Sequence, residues 1–262
     1  YLTLSHVWGE DASKQLRLSN RRLEEFQVTI PLHEMPLIFV EAMRIARQIG
    51  FKYLWIDSLC IIQDSDADWE AEASQMTTVY ANAFCTIAFL HRPESGFDWP
   101  REPRAEVPCV VRRDDKTHCD ISIEPRDPHR LKAEWYYRAW TFQEHLLSPR
   151  TIFYGGTSIA WECRQISSDE LRGIPNVFDA QEISKSHLSL DPPQRWDNAG
   201  DWIPAHFDPW WALVNDYKQR RLTVPSDRVM AFAGVAEAFA LTRGLTYLAG
   251  VWAESLAYDL LW

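Results

Sequence analysis

The segment PLIFVEAMRIARQIGFKYLWID, residues 36–57, decides the fold. Ile38, Ala42, Ile45 and Ile49 recur at i, i+4, i+7 and i+11, which lays them along one face of a helix. Gly50 closes that helix as a C-terminal cap. The apolar run 51–56 then reads as a buried strand ending at Asp57. Upstream, Tyr1-Leu2-Thr3-Leu4-Ser5 alternates apolar and polar, then meets the polar loop His6-Val7-Trp8-Gly9-Glu10-Asp11. Downstream, Ser65 and Asp68 have the pattern of a capping box before a second helix with Trp69, Ala73, Met76 and Tyr80 on its inner face. Residues 84–90 form another buried strand. Strand, helix, strand, helix, strand at these spacings predicts an α/β fold with a parallel sheet and right-handed crossovers. In such sheets ligands bind outside the carboxyl ends of the strands. Here those ends carry residues 5–10, residues 57–63 and the loop after Leu90.

The remainder of the chain adds to this core. Residues 91–106 read as a long surface loop, followed by short strands near 107–111 and 119–124 and a helix from Trp140 to about Leu147. Residues 151–163 resemble a β-hairpin with a glycine turn. Residues 169–209 are rich in Pro, Asp, Ser and Gln with weak periodicity, an irregular connection. Residues 210–217 and 226–241 read as helices, the second capped by Ser226 or Asp227. Residues 248–261 are apolar on most sides and require a partner to cover them. The expected division is an α/β core over 1–165, and an irregular connection with a helical C-terminal part over 166–262. Both ends look cut from something longer.

Composition narrows the functional classes. The 262 residues are 46% hydrophobic and 24% charged, enough to bury a sizeable core. The net charge of −10 repels phosphate backbones and argues against a nucleic-acid binder. Five scattered cysteines without a Cys-x-x-Cys pair point away from a disulfide framework or structural zinc and towards a reducing, cytoplasmic setting. No apolar stretch approaches the roughly 18 residues of a membrane span, and no signal peptide is evident. Thirteen tryptophans are a heavy load for a residue that seldom hides all its surface, so some are expected to line a cleft or an interface.

The run Arg138-Ala139-Trp140-Thr141-Phe142-Gln143-Glu144 concentrates a guanidinium, an indole and a carboxylate within about two helical turns. A carboxylate against an aromatic wall can hold a shifted pKa, grip sugar hydroxyls or face a developing cation. The plainer reading is a helix start packed by Trp140 and Phe142 with Glu144 in solvent.

Three blocks, Leu4-Ser5-His6-Val7-Trp8-Gly9, Trp55-Ile56-Asp57-Ser58-Leu59-Cys60-Ile61-Ile62-Gln63 and the Arg138–Glu144 run, resemble the signature blocks of the fungal heterokaryon incompatibility (HET) domain. Met76-Thr77-Thr78-Val79-Tyr80-Ala81-Asn82-Ala83, Trp161-Glu162-Cys163, Arg221-Leu222-Thr223, Asp227-Arg228 and Gly250-Val251-Trp252 extend the likeness in family order. The resemblance implies non-self recognition leading to programmed cell death, and a fold remotely like the Toll/interleukin-1 receptor (TIR) domain, a flavodoxin-type sheet. Residues 2–11 look like the first TIR strand and its loop, residues 51–57 with the acidic loop 63–68 like the second strand and the BB loop. Trp140-x-x-x-Glu144 is similar to the helix bearing the catalytic glutamate of NAD-cleaving TIR enzymes, although the insertion between Leu90 and Trp140 is longer than TIR domains usually have.

That resemblance implies an NAD⁺ glycohydrolase with NAD⁺ as substrate and no bound cofactor. Loss of nicotinamide passes through an oxocarbenium-like state. The leaving group departs neutral from a cationic ring, so one ionised carboxylate is sufficient, and Glu144 takes that role. Trp140 or Trp8 can stack on a ring of the substrate. Ser5, His6 and Gly9 frame a pyrophosphate cradle. Asp57 can orient the ligand and Arg138 can supply a countercharge, unless Arg138 pairs with a carboxylate such as Glu162. Glu10 is a second acidic candidate. His6 and Asp57 also have ordinary structural readings, and Cys60 in its apolar run reads as inert core. The alternative is a non-enzymatic module that self-associates or recruits an incompatibility partner through exposed tryptophans. A Cys60–His6–Asp57 hydrolase is a third and weaker reading.

Overall fold

The computed structural model describes residues 1–8, 16–91, 107–112, 118–123, 133–155, 159–169, 183–188 and 208–260. In chain order these form β1 (Leu2–Ser5), α1 (Leu23–Val28), α2 (Leu37–Gln48), β2 (Leu54–Trp55), α3 (Asp57–Cys60), α4 (Asp66–Asn82), β3 (Cys85–Phe89), β4 (Val107–Arg112), β5 (His118–Ile123), α5 (Glu134–Tyr137), α6 (Trp140–Leu147), β6 (Arg150–Tyr154), β7 (Ile159–Cys163) and β8 (Ser167–Asp169). There follow α7 (Asp208–Tyr217), α8 (Met230–Arg243), β9 (Tyr247–Leu248), β10 (Val251–Trp252) and α9 (Leu256–Asp259).

The main sheet has the order β2-β1-β3-β6-β7-β8. Strands β2, β1, β3 and β6 run parallel, and β7 and β8 extend the sheet antiparallel. This is the mostly parallel, flavodoxin-type α/β core read from the sequence, with the expected hairpin as β6 and β7. The chain leaves β1 in one direction through α2 to β2, then returns through α4 to β3 on the other side of β1. That reversal puts a topological switch point at the carboxyl end of β1, where α/β sheets form their ligand crevices.

Local chemistry explains the elements. At the end of α2, Gly50 adopts a φ of +87°, its N–H bonds the Arg47 carbonyl at 3.1 Å, and the Phe51 N–H bonds the Ala46 carbonyl at 2.8 Å. These are the two bonds of a Schellman cap. Ile49 lies beyond the last turn and is 44% exposed, whereas Ile38, Phe39, Ala42, Ile45 and Ala46 are buried. The strand expected over 51–56 contracts to the two residues of β2, an edge strand with Tyr53 74% exposed, because its outer side has no strand to pair with. Ser65 caps α4 as expected, accepting the Asp68 N–H at 3.3 Å.

Alternation sorts the two faces of the sheet. Leu2, Leu4, Cys85, Ile87 and Phe89 join the α2 side in one apolar cluster. Thr3 and Thr86 face the other way and satisfy each other across the strands at 2.7 Å. On that second side α4, α6, α7 and α8 share a core with Tyr80, Phe142, Trp210, Phe239 and Trp252. Of the apolar C-terminal stretch, Trp252 is buried there, packing on Trp210 with ring centroids 4.6 Å apart, whereas Leu248, Leu256 and Leu260 are exposed. The helix expected over 226–241 begins later, at Met230, after a 3-10 turn over Pro225–Arg228. β4 and β5 pair as a separate antiparallel hairpin. The loop 92–106 and most of the connection 169–209 lie outside the described residues, as does the turn at 156–158.

Candidate functional site

The carboxyl end of β1 and the first two turns of α6 meet around Glu144. A helix entering a parallel sheet starts at the carboxyl edge of the strands, so α6 carries Trp140 and Glu144 there from a distant part of the chain. Arg220 pins this entry, its guanidinium reaching the Arg138 carbonyl and the Thr141 hydroxyl, each at 3.4 Å, and stacking 4.7 Å above the Phe142 ring.

Glu144 is 6% exposed, not solvated. Burial raises its pKa to about 7, and the Asp57 carboxylate adds to the rise. Hydrogen bonds from the Ser5 and Tyr80 hydroxyls and the charge of Arg138 act in the opposite sense. Ser5, Asp57, Arg138 and Glu144, four of the residues selected from the sequence, therefore act on one another.

Asp57 opens α3 directly after β2. Its Oδ1 accepts the Ser58 N–H at 2.7 Å and its Oδ2 accepts the Trp8 indole N–H at 2.9 Å. This fixes the plane of the half-buried Trp8 beside the acidic pair. The Ser58 hydroxyl is buried without a hydrogen-bond partner among the described residues, an uncompensated polar group next to Asp57. Arg138 donates to the His6 carbonyl at 2.9 Å. His6 contributes its backbone there, while its ring packs edge-on to Phe39 of α2, centroids 5.4 Å apart. Trp140 is half-buried, donates to Asp227 at 3.3 Å and meets Trp69 edge-on at 6.3 Å. Gly9 and Glu10 lie outside the described residues.

Glu162 is not a partner of Arg138: it binds His145 at 2.6 Å and the Lys185 N–H at 2.8 Å. Cys60 is an exposed free thiol and not a core residue. Desolvation nevertheless pushes its pKa up, with Asp57 and Glu72 adding to the effect, which opposes a thiolate nucleophile. Of the described tryptophans, Trp135, Trp210 and Trp252 are buried and Trp8, Trp55, Trp69, Trp140, Trp161 and Trp211 half-buried.

Two participants were not selected from the sequence as site residues. Tyr80, read as the inner face of α4, is 1% exposed; its hydroxyl donates to the Leu4 carbonyl at 3.3 Å beside Glu144, and burial pushes its pKa well up. Trp135 of α5 is fully buried and donates to Ser5 Oγ at 2.7 Å. Among the described residues no group of three or more His, Cys, Asp or Glu is placed to hold a metal, and no helix is long and apolar enough to cross a membrane.

Fold and site define an α/β domain with a buried, near-neutral carboxylic acid at the switch point of a flavodoxin-type sheet. Residues 1–144 match the heterokaryon incompatibility protein (HET) family, and the chain belongs to that family. The match ends on Glu144 itself. Over 198 residues the chain is 23% identical to heterokaryon incompatibility protein 6, OR allele, of Neurospora crassa, covering 61% of this chain and 29% of that protein. The chain thus spans less than a third of that relative's length. No solved structure matches it.

Proposed function

We propose that this domain is an effector of heterokaryon incompatibility that cleaves the nicotinamide–ribose bond of NAD⁺, with Glu144 as the acting carboxylate. One observation carries the reading: a buried carboxylic acid at the carboxyl end of β1, its pKa raised to about 7 by burial and by the Asp57 carboxylate and drawn down by Ser5 and Arg138. The likeness of Trp140-x-x-x-Glu144 to the glutamate helix of NAD-cleaving TIR enzymes supports it.

In this mechanism the C1′–N bond breaks heterolytically and its electron pair neutralises the pyridinium, so nicotinamide leaves without an acid. Ionised Glu144 faces the cation at C1′ and holds the ribose hydroxyls. Water then adds at C1′, giving ADP-ribose and a proton. A cationic substrate favours the ionised form of Glu144. Trp8, locked to Asp57, is the aromatic wall for a substrate ring. Programmed cell death follows from loss of NAD⁺.

The burial of Glu144 favours the second reading, a non-enzymatic self-associating or partner-recruiting module in which Glu144 only ties β1 to α6. Incubating the purified domain with NAD⁺, free and under enforced oligomerisation, separates the two. Nicotinamide release by the wild type that is lost in Glu144→Ala and Glu144→Gln supports the hydrolase. Release that survives both substitutions, or none from the oligomerised wild type, overturns it.

A further inference from the structure

Arg138 and Arg221 face each other across an isolated parallel β-bridge. The Arg221 N–H donates to the Tyr137 carbonyl, and the Ala139 N–H returns the bond to the Arg221 carbonyl at 2.9 Å. Residues paired in this way lie about 5 Å apart, and like charges directly opposite each other repel. Among the described residues neither guanidinium is ion-paired, although the chain has 37 acidic residues against 27 basic. Neighbouring acids are committed elsewhere: Asp216 pairs with Arg220 at 2.7 Å, Asp227 accepts the Trp140 indole N–H at 3.3 Å, and Asp57 takes the Trp8 indole and the Ser58 N–H.

Both guanidiniums are nevertheless held in place. Arg138 Nη1 donates to the His6 carbonyl at 2.9 Å, which fixes its head at the carboxyl end of β1, where the sheet forms its crevice. Arg221 lies 5.5 Å from the centre of the Tyr137 ring, a cation–π contact that orients it without spending a hydrogen-bond donor. Its side chain is exposed, and its guanidinium makes no hydrogen bond among the described residues. The preceding Arg220 does the structural work instead: it is 6% exposed and bound to Asp216, the Arg138 carbonyl and the Thr141 hydroxyl. Consecutive arginines thus have different tasks, one anchoring the bridge and the other keeping its donors for a ligand.

We infer that Arg138 and Arg221 form a paired-guanidinium site for a diphosphate, placed by the β-bridge at the carboxyl end of β1. Guanidinium forks match phosphate oxygens in geometry as well as charge, and two neighbouring forks suit two linked phosphates better than a single one. The bound anion supplies the countercharge that the two cations lack. The inference deepens the reading of this site as one for NAD⁺, and rests on it for the dinucleotide to which the diphosphate belongs. It also brings into the site a residue from outside the family-matched stretch 1–144.

The test titrates the purified domain with inorganic pyrophosphate and with orthophosphate by calorimetry, in the wild type, Arg221→Gln and Arg221→Lys. Because the bridge is made by backbone atoms and the Arg221 side chain is exposed, both variants keep the fold. The wild type binds pyrophosphate about tenfold more tightly than orthophosphate, and Arg221→Gln weakens pyrophosphate about tenfold. Arg221→Lys recovers part of that loss, since it restores the charge but not the fork. A wild type without preference for pyrophosphate, or binding unchanged in Arg221→Gln, overturns the inference. Nicotinamide release is assayed on the same samples with NAD⁺ and with nicotinamide riboside, which carries no phosphate. Arg221→Gln lowers kcat/KM for NAD⁺ about tenfold relative to that for the riboside, whereas equal losses with the two substrates overturn the inference. A wild type that binds pyrophosphate through Arg221 but releases no nicotinamide sinks the hydrolase reading and leaves the anion site standing.

Discussion

His145 Nε2 and Glu162 Oε2 stand 2.6 Å apart in the interior, one position along α6 from Glu144. Two turns of helix thus serve two buried carboxylates of opposite character. Glu144 is raised to about 7, whereas Glu162 is held at about 2. Burial would push Glu162 up as well, but at acid pH, where His145 is charged, that charge and its hydrogen bond outweigh it, together with the Lys185 charge and backbone N–H. Burial lowers His145, so at neutral pH it donates as a neutral imidazole. Lys185, fully buried, brings the compensating charge and donates its ammonium to the His145 carbonyl. The cluster closes at neutral pH as one carboxylate and one ammonium, tying residues 183–188 to α6 and β7.

Glu162→Gln tests that closure. The amide oxygen still accepts hydrogen bonds, but Lys185 is left as an uncompensated buried charge, and the domain loses about 3 kcal/mol in urea unfolding at neutral pH. Burial already lowers Lys185 to about 8, so the loss shrinks as pH rises past that value and the amine sheds its proton. A loss that grows with pH contradicts the assignment.

Gly234 marks a close helix crossing. A Cβ there would lie 2.2 Å from Thr77 Oγ1 of α4, 2.9 Å from Gln143 Oε1 and 3.0 Å from Leu147 Cδ1 of α6. Alanine in a helix interior ordinarily stabilises by about 1 kcal/mol relative to glycine. Here overpacking reverses the sign, and Gly234→Ala lowers stability by about 1–3 kcal/mol in chemical denaturation. An unchanged or raised midpoint refutes the close approach.

The sequence carried the α/β core because period-3.6 and continuous apolar runs are local signals. Residues 36–50 could be read without knowing what α2 packs against. Boundaries failed where a neighbour decides: β2 is two residues long because it lies at the sheet edge, and Ile49 is exposed because the Schellman cap ends α2 before it. Ser5, Asp57 and Glu144 were legible as polar groups at strand ends or in a dense motif. Tyr80 and Trp135 were not, since an aromatic at core spacing has the same local pattern in either role. Their polar tips are distinguished only by partners 76 and 130 positions away in sequence. Lys185 was hidden for a different reason, being a cation in a stretch without periodicity whose partners lie on α6 and β7.

Removing the Glu144 charge stabilises the fold. Its folded pKa of about 7 exceeds the ordinary 4.5, so the native state holds this proton more tightly. The contribution is complete below the unfolded value and is lost as pH rises through the folded one, amounting to about 3 kcal/mol. Glu144→Gln therefore melts above the wild type at mildly alkaline pH, and the difference narrows as pH falls towards the ordinary carboxylate range. A difference in melting temperature that is flat across this window rules out the raised acid. The variant gains stability as it loses nicotinamide release, the trade-off expected of a strained active-site group.

The pH dependence of nicotinamide release tests the electrostatics of the site. The proposed chemistry requires ionised Glu144, so release in the wild type rises with pH through about 7. Asp57 pushes Glu144 up and Arg138 pulls it down, so substitutions at the two positions move the rising limb in opposite directions. Asp57→Asn shifts it to lower pH and Arg138→Met to higher pH, each by about half a unit to one unit. The plateau falls in both, because asparagine has one oxygen for the two N–H groups that Asp57 serves, and methionine releases the His6 carbonyl. If both substitutions move the limb the same way, or neither moves it, the titrating group is not Glu144 and the mechanism built on it fails.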